Sequence, residues 1–457
     1  MFLERLISGT LPFAFLMICG IYLSFKTGFC QITRFGESFK LTARAFKNRT
    51  KTREITSYKA ACTALSATVG TGNIAGVAGA ISVGGAGAVF WMWVSAVLGM
   101  CIKFVEITLA VMYREKTENG FRGGPAFYIK NGLPKVFAPL GIIFCLFAIP
   151  ATFCSGNITQ INAAAISVSQ SSGKRLILGV IFALACFISV TGGTDKIASI
   201  TEKIVPLMSV IYIVVSLTVI IKNINSLPEC FVMIFKGAFN PKAVTGGAVG
   251  SVFTSAFIGT SRGIFSNEAG LGTSAMAHSA AVDADPDTQG LFGVFEVFAD
   301  TVLLSTLTAL TILSSEVKIN YGSIASTELV AESLEKELGA FGNISLGIMM
   351  CLFAFSSIVG WAVYGKLSAN LVFGKTGNVM FNLLYPLFCI LGATVNSDVS
   401  WRMAGICNGI MLCINLTAIL LLSDKIAIKK GENNNGKNRK NKKDFTRRYR
   451  GINKQPN

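Results

Sequence analysis

The chain has few charged residues and almost no histidine. Only 14% of its 457 residues are Asp, Glu, Lys or Arg, whereas roughly a quarter are charged in soluble domains. His278 is the single histidine, which excludes any site that needs two. The twelve cysteines form no C-x-x-C pair and lie mostly in apolar segments, where we read them as small buried residues. These shortages argue against a soluble domain and against an intramembrane enzyme built on histidine or paired acids.

Apolar residues are abundant instead, at 52% of the chain, and they gather into long blocks. A helix that crosses the ~30 Å hydrocarbon layer needs about 20 mostly apolar residues. No small-residue cleavage site precedes the first block, so we expect no cleaved signal peptide. The sequence therefore predicts an all-α polytopic membrane protein with about eleven transmembrane helices. The predicted spans are 10–26, 57–82, 87–112, 137–169, 175–192, 203–221, 246–281, 291–315, 344–366, 376–396 and 401–423.

Basic residues concentrate on one side of these spans. The loops 31–56 and 113–136 are basic, whereas the loop 316–343 is net acidic. From Lys425 to the end, 12 Lys and Arg face only two acids, within a net charge of +17 for the chain. Basic loops stay in the cytoplasm, so we expect the N-terminus outside and the C-terminus inside a plasma (inner) membrane. We expect the basic loops and tail to attract anionic lipid rather than nucleic acid.

Two spans carry clusters of Gly, Thr, Ser and Asn near mid-membrane. The second span has Gly70-Thr71-Gly72-Asn73, and the seventh has Gly259-Thr260-Ser261-Arg262-Gly263. Such clusters favour local unwinding, which frees backbone N–H and C=O groups that an amino acid zwitterion and a cation can satisfy. The alternative is close helix packing, since small residues spaced along a helix also let two backbones approach.

The two clusters lie five spans apart, which predicts an inverted repeat. Without the first span, ten spans remain as two sets of five, and each set opens on an interrupted helix. Five is odd, so the two sets have opposite membrane orientations. The predicted divisions are an extra helix and basic loop at 1–56, repeats at 57–222 and 223–423, and a basic tail at 424–457.

The order of several motifs resembles the alanine or glycine:cation symporter family. The motifs are ALSATVGTGNIAGVAGA, GGAGAVFWMWV, KFVEITLAVMYRE, RGGPAFYI, GIFSNEAGLGTSAMAHSAA and QGLFGVFEVFADT, spread between residues 57 and 420. The resemblance implies a leucine-transporter-like fold of two inverted five-helix repeats plus one N-terminal helix. It implies symport of a small neutral amino acid, namely alanine, glycine or serine, with sodium, and no organic cofactor.

The resemblance also implies roles for individual residues. The substrate would meet Gln160 in the fourth span, Trp361 as a pocket wall, and the two small-residue clusters. The implied substrate-binding residues are Thr68, Gly70, Thr71, Gly72, Asn73, Gln160, Gly259, Thr260, Ser261, Gly263 and Trp361. The implied sodium ligands are Ser66, Val69, Ser356 and Ser357. Gln160 could equally hold helices together, and Trp361 could be a packing residue.

Charged side chains inside the predicted spans require partners or a function. Lys103 and Glu106 form a candidate pair in the third span. Arg262 and Glu268 flank the predicted break in the seventh span, and Glu296 and Asp300 lie one turn apart in the eighth, but the sequence does not say which of these four meet. We interpret the first pair as structural or as part of an inner gate, and the others as candidates for gating. We interpret His278 as a capping or packing residue near the end of its span.

Two other functions stay open at this point. A channel would need a continuous polar lining, whereas the polar groups here cluster at one depth. A sensor that binds an amino acid but hardly transports it would also fit, and the basic tail favours that alternative. We expect the chain to function as a monomer.

Overall fold

The computed structural model describes residues 6–48, 52, 54–118, 120–247, 251–322, 327–396 and 398–426. The described chain is almost entirely helical. Its two short strands, β1 (Glu115–Thr117) and β2 (Gly120–Arg122), pair antiparallel with Glu115 opposite Arg122. The predicted basic tail at 424–457 lies outside the described residues beyond position 426.

Long apolar helices alternate with short amphipathic ones. The N-terminal region contains α1 (Leu11–Lys26), α2 (Cys30–Thr33) and α3 (Phe35–Lys47). The first predicted repeat contains α4 (Ser57–Thr68), α5 (Ala75–Gly84), α6 (Gly87–Met112), α7 (Pro125–Gly132), α8 (Ala138–Phe153), α9 (Thr159–Val168), α10 (Ser172–Thr191) and α11 (Gly193–Lys222). The second contains α12 (Leu227–Phe239), α13 (Pro241–Thr245), α14 (Val252–Asn267), α15 (Thr273–Ser279), α16 (Pro286–Val297), α17 (Ser305–Ser314), α18 (Thr327–Leu338), α19 (Ala340–Thr394) and α20 (Asp398–Leu422).

By length and composition, seven of the described helical segments can cross a membrane, and one bent pair makes eight. The expected count of eleven is not confirmed. Helices α1 and α14 have only 16 residues each. The predicted ninth and tenth spans appear as the single 55-residue α19, which is interrupted at Gly374 (φ 63°, ψ −148°). At 1.5 Å per residue a straight helix of that length would be far longer than the ~30 Å hydrocarbon layer. The kink at Gly374 lies between the two predicted spans and divides α19 into two shorter segments.

The second predicted span is broken where the sequence indicated. Helix α4 ends at Thr68, a 3₁₀ turn spans Thr71–Asn73, and α5 begins at Ala75. The two parts are bent by 55°. We call the extended residues Val69 and Gly70, with the 3₁₀ turn that follows, the first break.

The seventh predicted span is also broken, but not at the expected residues. Helix α14 runs unbroken through Gly259–Gly263, so the prediction of unwinding there is wrong. A Cβ on Gly259 would lie 2.2 Å from the Ala88 carbonyl oxygen, and one on Gly263 would lie 2.1 Å from Ser95 Oγ. These glycines therefore let α14 pack closely on α6.

The chain instead leaves the helix at Glu268–Gly272, which we call the second break. Glu268, Gly270 and Gly272 have φ values of 55°, 86° and 78°. Glycine adopts this left-handed region without steric cost, whereas a residue with a Cβ does so rarely. Helix α15 begins directly afterwards, at Thr273.

Two π-helical turns interrupt further spans. One covers Cys154–Ile158 between α8 and α9, and the other covers Phe298–Leu304 between α16 and α17. π-helical turns inside α-helices occur frequently at functional sites. The second π turn contacts the first break through Asp300, which binds Asn73, and the first π turn precedes Gln160, which binds Thr71.

The N-terminal region is attached to the second half of the chain. Arg34, at the start of α3, donates two hydrogen bonds to the Asp287 carboxylate, at 2.7 and 2.8 Å. Burial lowers the pKa of Arg34, but hydrogen bonds to Asp287 and Glu37 outweigh it and hold that pKa above its ordinary value. Ser38 adds a hydrogen bond to the Leu291 carbonyl at 2.6 Å. The buried Arg34–Asp287 ion pair thus links α3 to α16.

Candidate binding site

Two backbone N–H groups at the first break find only side-chain oxygens as acceptors among the described residues. Gly70 N donates to Asn73 Oδ1 at 3.0 Å. Thr71 N and Thr71 Oγ1 both donate to Gln160 Oε1, at 3.1 and 2.8 Å. Unwound backbone inside a membrane protein needs such partners, because an unsatisfied group costs several kcal/mol. A carboxylate could replace either side-chain oxygen.

Three parts of the chain meet around Gly70. A Cβ on Gly70 would lie 2.4 Å from Ser357 Oγ and 2.9 Å from Gln160 Oε1. The first break therefore touches both α9 and α19. A larger residue here would have to displace both side-chain oxygens, so the contact between these elements favours glycine.

The four residues predicted as sodium ligands belong to this same region. Ser357 Oγ lies 3.5 Å from the Val69 carbonyl oxygen, across the first break. The neighbouring Ser356 Oγ is buried and has no hydrogen-bond partner among the described residues. A Cβ on Gly360, one turn along α19, would lie 2.4 Å from Ser66 Oγ. Hydroxyl and carbonyl oxygens are hard ligands that suit a sodium ion.

Trp361 lies against the π turn of the fourth span. It is buried, and a Cβ on Gly156 would lie 2.4 Å from the Trp361 Cβ. The side chain therefore closes the space between α19 and that turn. Thr68 plays a more local part, since its hydroxyl contacts the Ala64 and Leu65 carbonyls of its own helix.

The structure does not bring the predicted residues of the seventh span to the first break. Gly259 and Gly263 contact α6, and Thr260 Oγ1 is buried without a hydrogen-bond partner among the described residues. Ser261 lies on the same helical stretch. Two residues of α14 that the sequence did not single out come closer, namely Phe265 and Ser266. A Cβ on Gly72 would lie 3.7 Å from the Phe265 ring, and Asn73 Nδ2 donates to Ser266 Oγ at 3.2 Å.

Asp300 is the acidic residue nearest this site. Asn73 Nδ2 donates to Asp300 Oδ1 at 2.8 Å, and Ser266 Oγ donates to Asp300 Oδ2 at 2.7 Å. Thr301 Oγ1 adds a third hydrogen bond at 2.7 Å. The carboxylate thus joins the first break, the end of α14 and the second π turn. Its intramembrane charge was the only sequence signal for this contact.

A second buried polar network lies near the basic loops. Lys103 Nζ donates to Ser274 Oγ at 2.6 Å and lies 3.3 Å from Glu296 Oε1. The predicted pairing of Lys103 with Glu106 is therefore wrong, since Glu296 is the partner. Glu296 is within reach because α6 packs against α16, and Ser274 on α15 donates a hydrogen bond to the same carboxylate.

His278 belongs to this network and is not a peripheral capping residue. It is fully buried, and Gln289 Nε2 donates to its Nδ1 at 2.7 Å. That bond leaves the Nε2 hydrogen for Glu296 Oε2, at 3.1 Å.

Arg262, whose partner the sequence left open, forms no ion pair with the described residues. Its guanidinium carbon lies 5.9 Å from the centre of the Trp401 ring, a cation–π arrangement. The Phe265 ring lies 5.0 Å from the same Trp401 ring. Helices α14 and α20 thus meet through an aromatic cluster above Gly72.

Comparison with known proteins identifies relatives along nearly the whole chain. The sequence model described as the sodium:alanine symporter family matches residues 2–447. The sodium/alanine symporter AgcS of Methanococcus maripaludis is 36% identical over 421 residues, covering 91% of this chain and 92% of that protein. The probable sodium/glutamine symporter GlnT of Bacillus subtilis is 36% identical over 414 residues, covering 89% and 84%.

A solved structure shares the fold. The crystal structure of MhsT in complex with L-phenylalanine aligns with a TM-score of 0.58 at 14% identity. The alignment covers 81% of this chain and 90% of MhsT. The nearly all-helical chain therefore has the leucine-transporter fold.

Proposed function

Because the chain belongs to the sodium:alanine symporter family, a family of transporters and not of enzymes, we propose that it imports alanine, glycine or serine in symport with sodium by alternating access. The observation that carries this proposal is the first break, where, within the described part of the chain, Gly70 N and Thr71 N donate only to the side-chain oxygens of Asn73 and Gln160.

The substrate carboxylate binds at the first break in this proposal. Its oxygens accept hydrogen bonds from Gly70 N and Thr71 N, and the 3₁₀ turn that follows adds a favourable dipole. Thr68, Gly72, Asn73 and Gln160 line the same segment. From the seventh span, Phe265 and Ser266 take the place of the residues between Gly259 and Gly263, because they are the ones that contact Gly72 and Asn73.

Sodium binds between the first break and α19. The ligands are the Val69 carbonyl, the Ser356 and Ser357 hydroxyls, and Ser66 beside Gly360. The unpaired Ser356 hydroxyl and the 3.5 Å contact of Ser357 with Val69 support this placement. The ion joins the two elements, so sodium and substrate order the same residues and favour each other's binding.

A small substrate is favoured by the lining of the site. Trp361 fills the space against Gly156, and Phe265 covers Gly72. In a well-packed interior, each additional methylene must displace such neighbours at a cost of about 1–3 kcal/mol. We therefore propose alanine, glycine or serine rather than a larger side chain.

The membrane arrangement is part of the same proposal. The basic loops lie in the cytoplasm beside anionic lipid, with the N-terminus outside and the C-terminus inside. Residues 57–222 and 223–423 form the two inverted repeats, each opened by one broken helix. One monomer suffices for transport, because both breaks lie in a single chain.

Uptake of labelled L-alanine into proteoliposomes tests the proposal. An inward sodium gradient should drive accumulation, and a potassium gradient of the same size should not. Accumulation driven equally well by a proton gradient would refute the sodium site. Saturable alanine binding without accumulation under any gradient would favour the alternative function, a membrane sensor.

A further inference from the structure

Glu106 holds the second break in place. Its Oε1 accepts a hydrogen bond from Gly272 N at 3.2 Å and another from Asn415 Nδ2. Asn415 Nδ2 also donates to the Gly270 carbonyl at 2.9 Å. The backbone groups freed at the second break are thus satisfied by side chains of α6 and α20.

The two oxygens of the Glu106 carboxyl differ in their hydrogen bonding. Glu106 is fully buried, and its Oε2 has no hydrogen-bond partner among the described residues. Both donors therefore converge on one oxygen of the pair. In the ionised form Oε2 would be a buried anionic oxygen without a donor, whereas in the neutral acid it is an uncharged O–H, which costs less to leave without a partner.

The charges around Glu106 support the neutral form. Lys103, one turn earlier, is the nearest ammonium and is committed to Ser274 and Glu296. Glu268 is buried at the second break, where Thr273 Oγ1 donates to it at 2.6 Å. The buried ionisable groups around this part of α6 are Lys103 on α6 itself and, on the elements packed against it, Glu268, His278, Glu296, Asp300, Tyr128 and the Arg34–Asp287 pair.

The described carboxyls therefore outnumber the ammonium and guanidinium groups in this part of the molecule. An ionised carboxylate that has no cation paired with it in a low-dielectric interior is far more costly than a neutral acid. We propose that Glu106 is a proton-binding site of the closed inner gate. The proton enters from cytoplasmic water as the gate closes around the second break, and it returns to that water when opening rehydrates the carboxyl.

The presence of the proton rests on the geometry alone, whereas its link to gating rests on the proposed function. Infrared spectroscopy of the full-length protein in lipid nanodiscs, with sodium and L-alanine, reads the protonated-carboxyl stretch directly. We expect this band at neutral pH in the wild type and expect Glu106→Gln to lose it. Glu115→Gln is the matched control, because Glu115 is partly exposed and paired with Lys130, and it should keep the band.

An unchanged band in Glu106→Gln, or its loss in Glu268→Gln alone, would overturn the assignment. Uptake measured with equal pH on both sides tests the link to gating. The wild-type initial rate should fall as pH rises, approaching tenfold per pH unit for one proton, and Glu106→Gln should flatten this profile. An identical profile in both proteins would refute the link. Absence of any wild-type uptake would refute the proposed function but leave the infrared result intact.

Discussion

Both helix breaks free backbone groups that side chains satisfy, but the side chains differ between the two breaks. At the first break the freed N–H groups bind Asn73 and Gln160, neutral side chains that the substrate carboxylate is proposed to replace. At the second break the freed groups bind Glu106 and Asn415 in a fully buried network. In the proposed function the first break is the ligand site, whereas the second break is a hinge whose partners are supplied by the protein itself.

The largest effect should come from filling the first break. In Gly70→Ala the new methyl meets Ser357 Oγ and Gln160 Oε1 at less than van der Waals distance, and overpacking of this kind costs about 1–3 kcal/mol. We expect sodium-driven alanine uptake to fall by about 100-fold, the upper end of that range. Gly76→Ala is the control, since its Cβ meets nothing within 4 Å. Equal losses in both variants would contradict a special role for Gly70.

The second largest effect should be confined to the sodium dependence of uptake. Ser357→Ala removes the hydroxyl that faces the Val69 carbonyl, and a contact to a charged group is worth about 1.5–3 kcal/mol. We expect the sodium concentration for half-maximal uptake to rise by at least about tenfold, while saturating sodium restores alanine affinity. Ser345→Ala should change neither, because Ser345 Oγ bonds the Gly342 carbonyl of its own helix. Unaltered sodium dependence in Ser357→Ala would place the ion elsewhere.

The third largest effect should be on the KM for the substrate. Gln160→Glu keeps the shape of the side chain but puts a negative charge where the substrate carboxylate is proposed to bind. We expect the KM for alanine to rise about tenfold, equivalent to about 1.4 kcal/mol. Gln170→Glu makes the same change at an exposed position and should leave KM unaltered. If Gln160→Glu left KM at the wild-type value, Gln160 would be only a packing residue.

The smallest effect should come from the second break. Asn415→Ala removes the amide that joins Gly270 and Glu106, a loss of about 1 kcal/mol. We expect maximal uptake to fall about fivefold with little change in the KM for alanine, as suits a hinge rather than a ligand site. Thr417→Val, which removes only an intrahelical hydrogen bond to Cys413, should have no such effect. A large rise in KM in Asn415→Ala would make the second break a ligand site too.

Much of the first break could be predicted from the sequence. A run of Gly, Thr and Asn inside an apolar span lowers helix stability locally, and the helix does end at Thr68. The second break was misplaced because the same composition at Gly259–Gly263 also permits close packing, and α6 fills that groove. Small residues are ambiguous until the neighbouring helix is known.

The sequence by itself determined the membrane class, the family and the position of the first break, since these depend on local composition and motif order. Only the tertiary structure decided which partner each buried charged side chain meets. Lys103 reaches Glu296 rather than Glu106, Asn73 reaches Asp300, and Glu106 reaches Gly272. Such pairings join residues up to 227 positions apart. They depend on which helix faces pack together, and no local pattern encodes that choice.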